Sequence, residues 1–154
     1  MEIEFKKREK KHLIVYKREG LSNYWIEADD FLIFHDLSHY AIERTLKYNN
    51  AFWGLIKSGI NPSIFENKIE RDRLFIADEA WYAECLANLF LIELTQGQFD
   101  DFHEVFKESF LQMYPEKTIP KITDQEIDAI RSYYAELIQQ WRSLKTDQML
   151  TVTF

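Results

Sequence analysis

The chain has 154 residues, a formal net charge of −7 and an aromatic content of 16%, with only four Gly and three Pro. This is the length of one ordinary domain with room for a substantial core, and the composition suits a packed, helix-rich domain and argues against disorder. We therefore expect a single, helix-rich domain that spans residues 1–154.

The charge is unevenly distributed, which bears on the kind of partner. Residues 1–20 hold seven Lys/Arg and four Glu, a net charge of +3, so the rest of the chain carries −10. The basic cluster at residues 6–11 fits a solvated turn between strands, and the acidic remainder would repel a phosphate backbone. Nucleic-acid binding is not expected, whereas a small-molecule ligand and self-association stay open.

Three features favour a cytoplasmic protein without membrane contact. Cys85 is the single cysteine and cannot form an internal disulfide, which favours a reducing compartment. The first residues lack the basic-then-apolar pattern of a signal peptide. The most apolar stretch, residues 85–94, contains Asn88 and Glu93 and is too short to span a bilayer.

The N-terminal region, residues 1–28, favours β-structure. Residues 12–18 are rich in β-formers, and residues 24–27 resume that pattern after a Gly/Ser/Asn turn. Two such segments around a turn predict an antiparallel hairpin, to which residues 3–5 could add a third strand.

From residue 29 the apolar period lengthens to about 3.6, which predicts a helical bundle over residues 29–146 and then a tail over 147–154. Asp29 or Asp30 could cap a first helix that runs to about Asn49, and a short helix that Gly59 ends follows it. Asn61-Pro62 begins another helix, and residues 79–96 form a core helix. A stripe of Phe residues predicts a helix over 99–113, and a capping box of Thr123 and Glu126 begins the last helix. The expected fold class is mainly α: a helical bundle preceded by a small N-terminal antiparallel β-hairpin or three-stranded sheet.

Residues 35–43 hold the pattern from which a function can be argued, because His35, His39 and Glu43 recur every four residues. On a helix such residues share one side, and two imidazoles at this spacing can bind one metal ion, as in the His-Glu-x-x-His pattern of metallohydrolases. The geometry depends on where the helix begins. If Asp36 is the N-cap instead of Asp29 or Asp30, His35 lies outside the helix and the pairing is lost.

Glu84 is the best candidate for a third ligand, and Glu43 is the alternative. The neighbours of Glu84 one helical turn away are Ala80, Trp81, Ala87 and Asn88. We therefore expect Glu84 to lie largely buried on a core-facing stripe. A buried carboxylate is costly unless it is neutralised, paired or bound to a cation, so an imidazole of the motif is expected beside it.

Asp36 stands where zinc peptidases of the His-x-x-x-His type have their general-base glutamate. Its side chain is one methylene shorter, so a water positioned for attack by Glu would be out of reach without a shift of roughly 1–1.5 Å. Asp36 is thus a candidate catalytic residue, and the simpler interpretation is that it partners a His N–H. The simpler interpretations of the two glutamates are pairing of Glu43 with Lys47, and of Glu84 with an Arg or a Tyr hydroxyl.

This stretch resembles a family of small, uncharacterised, mostly bacterial proteins with a His-Asp-Leu-x-His-Tyr-Ala-x-Glu motif shortly after an N-terminal hairpin. The matching residues are His35, Asp36, Leu37, His39, Tyr40, Ala41 and Glu43, with Trp25 before them and residues 81–84 after them. The resemblance implies no activity. It argues only against an accidental spacing of the two histidines.

Three function classes stay open. The first is a metal-binding domain of unknown activity, in which two His and a carboxylate hold a transition metal. The second is a small zinc-type metallohydrolase with Asp36 near the metal-bound water. The third is an interaction domain without metal, in which His35 and His39 are structural core residues. The donor set suits Zn²⁺ first, then Ni²⁺ or Fe²⁺, better than Mg²⁺ or Ca²⁺. Whether the protein is an enzyme is left undecided.

Overall fold

The computed structural model describes residues 1–66, 69 and 76–154. The elements in that part of the chain are β1 (Glu2–Lys6), β2 (His12–Lys17), β3 (Tyr24–Ala28), α1 (Asp30–Leu46), α2 (Phe52–Lys57), α3 (Ser63–Glu66), α4 (Asp78–Gln96), α5 (Phe102–Met113), α6 (Asp124–Ser143) and β4 (Met149–Thr153). The predicted mainly helical architecture with an antiparallel sheet is confirmed.

The C-terminal segment corrects the predicted sheet. Residues 147–154, which were expected to be a tail, contain β4, which pairs antiparallel with β1 and completes the strand order β3-β2-β1-β4. Within the described residues, the sheet is therefore four-stranded, and it is not confined to the N-terminal region. Leu150 and Phe154 are buried against the core, and the chain turns into β4 through Asp147, whose φ of 66° lies in the left-handed region. Burial of these two side chains stabilises a strand that the sequence of this short segment predicts only weakly.

One face of the sheet is buried beneath the helices. Side chains alternate between faces along β1 and β2, and Ile3, Phe5, Ile14 and Tyr16 are fully buried. Trp53 of α2 packs on this face, with its ring centroid 6.2 Å from that of Phe5 and 5.8 Å from that of Tyr16. The sheet thereby fixes the position of α2.

The central helix is α1, which packs against α4 and α6 and also contacts α2 and β3. It begins early because the Asp29 side chain accepts a hydrogen bond from the Leu32 amide at 3.0 Å, as an N-cap does. His35 and His39 therefore lie within the helix, and the alternative start at Asp36 is wrong. Every residue from 36 to 43 is buried, because α1 is covered on several sides.

Polar contacts attach α6 to the two helices that carry the candidate site. The predicted capping box of Thr123 and Glu126 begins α6. Arg131 of α6 forms an ion pair with Glu93 of α4, with Nη2 2.6 Å from Oε1, and the Tyr134 hydroxyl donates to the backbone carbonyl of Phe34 in α1. These contacts hold α1 and α4 in a defined relative position.

Candidate metal centre

Two imidazoles project from successive turns of α1. The ring centroids of His35 and His39 are 4.7 Å apart, as expected for positions i and i+4 on one helix face. The His39 side chain is 3% exposed and the His35 side chain 19%. The predicted pairing of the two histidines is therefore present, with His35 closer to solvent.

Glu84 of α4 faces both imidazoles. Its Oε2 lies 3.2 Å from Nε2 of His39, and its Oε1 lies 3.7 Å from Nε2 of His35. The Asn88 side-chain amide donates to Oε1 of Glu84 at 3.0 Å and so holds the carboxylate in place. The proximity predicted for Glu84 is confirmed, but its expected burial is wrong, because 44% of its side chain is exposed. The exposure arises where Glu84 borders an open cleft.

These three side chains can offer one ligand atom each to a common ion. Their ligand atoms all lie within 4.8 Å of one another, and this is the one group of its kind in the described part of the chain. Ligands of a tetrahedral Zn²⁺ at about 2.0–2.1 Å stand about 3.3 Å apart. Modest side-chain shifts would therefore complete a His35, His39 and Glu84 site.

A carboxylate lies behind each imidazole. Oδ1 of Asp36 is 3.5 Å from Nδ1 of His35, and Oε1 of Glu43 is 3.4 Å from Nδ1 of His39. The second contact has an ion-pair distance without the alignment of a hydrogen bond. Both rings consequently present Nε2 toward Glu84, which is the arrangement by which carboxylates orient metal-binding histidines.

Glu43 and Asp36 thus lie on the far side of the imidazoles from the ligand atoms. The buried Glu43 carboxylate accepts hydrogen bonds from the backbone amides of Trp53, at 3.2 and 3.0 Å, and Gly54, at 3.3 Å, at the start of α2. The Trp53 indole in turn donates to the backbone carbonyl of Asp36 at 3.2 Å. The structure therefore does not bring Glu43, the alternative ligand, or Asp36, the candidate base, among the converging atoms.

The electrostatics of the cluster favour positive charge. Burial alone would lower the pKa of His39, but the adjacent Glu43 and Glu84 raise it to about 10. Burial likewise opposes the charged form of Glu84, yet the two imidazoles hold the pKa of this carboxyl well below its usual range. Desolvation raises the pKa of Glu43 despite its contacts with His39 and the α2 amides. A cluster of this kind takes up protons or a cation.

Sequence reasoning missed two parts of the site. Asn88 follows Glu84 by four residues on α4, so its hydrogen bond to the Glu84 side chain could have been inferred from helical spacing. The capping of α2 by Glu43 has no local signal, because it depends on how closely α2 approaches α1.

The cluster opens into a cleft of about 550 Å³. Besides His35, Asp36, His39 and Glu84, the lining residues in the described part of the chain are apolar or aromatic, and they come from the sheet and from several helices and loops. Phe52, one of these residues, lies beside the cluster, with its ring centroid 5.4 Å from that of His39. A ligand in this cleft would contact the exposed side of the metal site.

Comparisons of this chain with protein-family models, with curated proteins and with solved structures found no match. Within the described residues, none of the helices combines the length and the apolar character that a bilayer crossing needs. The geometry of the site is that of a His35, His39 and Glu84 group that could hold a metal ion.

Proposed function

We propose that this protein is a transition-metal-binding domain in which Nε2 of His35, Nε2 of His39 and a carboxylate oxygen of Glu84 hold one divalent ion. Two neutral imidazoles and one carboxylate suit Zn²⁺ best, with Ni²⁺ or Fe²⁺ as alternatives, because Mg²⁺ and Ca²⁺ prefer all-oxygen shells. The observation that carries the proposal is the convergence of the three ligand atoms within 4.8 Å.

The carboxylates behind the rings support this proposal. A neutral imidazole has one N–H donor and one acceptor nitrogen, so it can donate to only one carboxylate. Here both Nδ1 atoms face a carboxylate and both Nε2 atoms face Glu84, so one nitrogen of each ring calls for a proton or a cation. Without an ion, two imidazoles share three carboxylates in a largely buried space. A divalent cation would balance that excess of negative charge.

Three protein ligands would leave room on a bound ion for an exogenous group, and the half-exposed Glu84 borders the cleft from which such a group would come. A bound ion would supply Lewis acidity there and would lower the pKa of a bound water. The hydrolase alternative with Asp36 as general base receives less support, because Asp36 faces Nδ1 of His35 on the side away from Glu84.

Metal analysis of tag-free protein tests the proposal. We expect about one ion per chain after native purification, or after titration of chelated protein with micromolar Zn²⁺, Ni²⁺ or Fe²⁺. His39→Ala and Glu84→Gln should each abolish stoichiometric binding. His103→Ala is the matched control, because His103 is half-exposed and pairs with Asp124 at 2.7 Å, outside the His35, His39 and Glu84 group. Absence of uptake by the wild-type chain would refute the proposal.

A further inference from the structure

The cleft beside the metal centre has a composition that selects among ligands. Eleven of the fifteen described lining residues are apolar or aromatic, and the other four are the polar residues at the metal centre. Its volume of about 550 Å³ falls within the roughly 300–1,000 Å³ of pockets that bind small molecules. The cleft therefore combines one polar end with an apolar body.

The charges of the described residues around the cleft disfavour an anionic ligand. Neither Lys nor Arg occurs among the described residues that line the cleft. The nearby Lys117, whose Nζ lies 5.5 Å from the Trp81 ring centroid, already forms an ion pair with Asp78 at 2.6 Å. At the polar end, the formal charges of Asp36, Glu43 and Glu84 already exceed that of a divalent ion. A phosphate, sulfonate or carboxylate would therefore find no cationic side chain among the described lining residues, and it would lie beside a metal centre whose carboxylates carry more formal charge than the ion.

Aromatic side chains line the apolar body of the cleft. Phe52 and Phe65 form one pair, with ring centroids 5.2 Å apart, and Trp81 and Tyr114 form another at 4.9 Å. Ring faces and edges of this kind favour a planar aromatic ligand over an equally apolar aliphatic one, because contacts between aromatic rings add free energy of binding beyond that of the buried apolar area.

We infer that the cleft takes an uncharged, largely apolar aromatic small molecule with one polar group directed at the metal centre; this inference rests on the proposed metal site. Such a ligand leaves no charge unpaired in the apolar body. Its polar group meets the side of the His35, His39 and Glu84 cluster that borders the cleft.

Two fluorescent compounds with the same skeleton test the inference on zinc-loaded protein. N-phenyl-1-naphthylamine is uncharged, and its analogue anilinonaphthalene sulfonate carries one negative charge. We expect saturable binding of the uncharged compound at about one per chain. The sulfonate should bind at least about tenfold more weakly, because its charge has no cationic partner among the described lining residues. Equal affinity, or tighter binding of the sulfonate, would overturn the inference.

Two variants locate the binding site. Ala80→Trp places a large side chain in the cleft and should abolish binding of the uncharged compound, while Ala129→Trp, on the exposed face of α6, should leave it unchanged. Leu55→Lys adds a cation to the cleft lining and should reverse the preference toward the sulfonate. Leu21→Lys, at a residue 49% exposed, is its matched control. Unchanged behaviour of both cleft variants would place the compound elsewhere and overturn the inference.

The bound zinc is quantified in every sample, which separates the two ways of failing. A wild-type chain that holds zinc but binds neither compound would overturn the inference and leave the proposed metal site intact. A chain that holds no metal would refute both the proposed function and the inference that rests on it. Retained zinc in Ala80→Trp would show that this variant keeps its fold, so that loss of the compound reports on the cleft.

Discussion

Glu43 connects two parts of the structure through a single carboxylate. It lies 3.4 Å from Nδ1 of His39, and it accepts hydrogen bonds from the amides of Trp53 and Gly54. A carboxylate behind an imidazole fixes the ring and leaves the other nitrogen as the ligand atom. Glu43 is therefore a positioning residue that acts through His39.

Glu43→Gln should weaken zinc binding by about 10–100-fold while keeping one ion per chain at saturation. The Gln side chain can still accept hydrogen bonds from the α2 amides, but it no longer places a negative charge beside His39. Competition with a chelator of known affinity measures this change. Glu136→Gln, on the exposed face of α6, is the control. Wild-type affinity would contradict the positioning role, and complete loss of stoichiometric zinc would make Glu43 a ligand.

At the scale of single elements, α2 can pack against the loop that follows α1 only because residue 54 is glycine. A Cβ at Gly54 would collide with the backbone carbonyl of Asn49. The same close approach brings the Gly54 amide within 3.3 Å of the Glu43 carboxylate. The start of α2 and the orientation of His39 are therefore coupled.

Gly54→Ala should lower the free energy of unfolding by about 1–3 kcal/mol, because the start of α2 must move to relieve the collision. The displaced amide should also loosen Glu43, so zinc affinity should fall. Urea unfolding of the zinc-free protein and zinc titration measure the two effects. Gly20→Ala is the comparison: Gly20 has a φ of 72° and no atom within 4 Å of an added Cβ, so this change should lower stability but not zinc affinity. An unaltered zinc affinity in Gly54→Ala would disprove the coupling.

The elements that could be predicted from the sequence are those with local signals. The Asp29 cap and the capping box of Thr123 and Glu126 mark helix starts through side chains only three residues from the amides they bind. Strand β4 lacks such a signal, because its pairing with β1 joins the two ends of the described chain. Long-range pairing of this kind depends on packing that no short window contains.

The same distinction applies to the site. The pairing of His35 with His39 follows from helical spacing, and the stripe around Glu84 correctly placed its carboxylate beside them. The exposure of Glu84 could not be inferred from α4 alone, because the cleft beside it is bounded by residues from other elements, such as Phe52. Helical period shows which face of a helix is apolar but not which part of that face a neighbour leaves open.

At the scale of the whole molecule, an ion at the site would tie α1 to α4, the two helices that carry its ligands. A ligand that binds only the folded state stabilises that state by mass action. At a free zinc concentration of about 100 times Kd, the melting temperature should therefore exceed that of chelated protein by about 5–10 °C. Thermal melting with and without chelator measures this difference. His39→Ala should abolish it and His103→Ala should keep it. An equal shift in both variants would point to zinc binding elsewhere.

Protons and the ion compete for the same cluster, so the pH response of stability should depend on which is bound. In the ion-free protein, burial works against a charged His39, but Glu43 and Glu84 raise its pKa from 6.5 to about 10. Its contribution to stability is fully present below pH 6.5 and is lost as pH rises toward about 10. Burial lowers the pKa of His35, but Asp36 and Glu84 outweigh it, so this pKa is raised as well. His35 therefore also contributes stability that is lost as pH rises. The lowered pKa of Glu84 contributes stability that is lost only in acid, below this window.

We therefore expect the melting temperature of chelated protein to fall as pH rises from about 6.5 to 9, because the unfolded chain releases its imidazole protons in this range whereas the folded cluster still has to hold them. In zinc-loaded protein the ion supplies that charge, and affinity rises with pH because coordination requires neutral imidazole. The gap between loaded and chelated melting temperatures should thus widen with pH. Differential scanning calorimetry at several pH values measures both curves, and His39→Ala should flatten the difference between them. A gap that narrows toward pH 9 would show that zinc does not displace protons from His35 and His39.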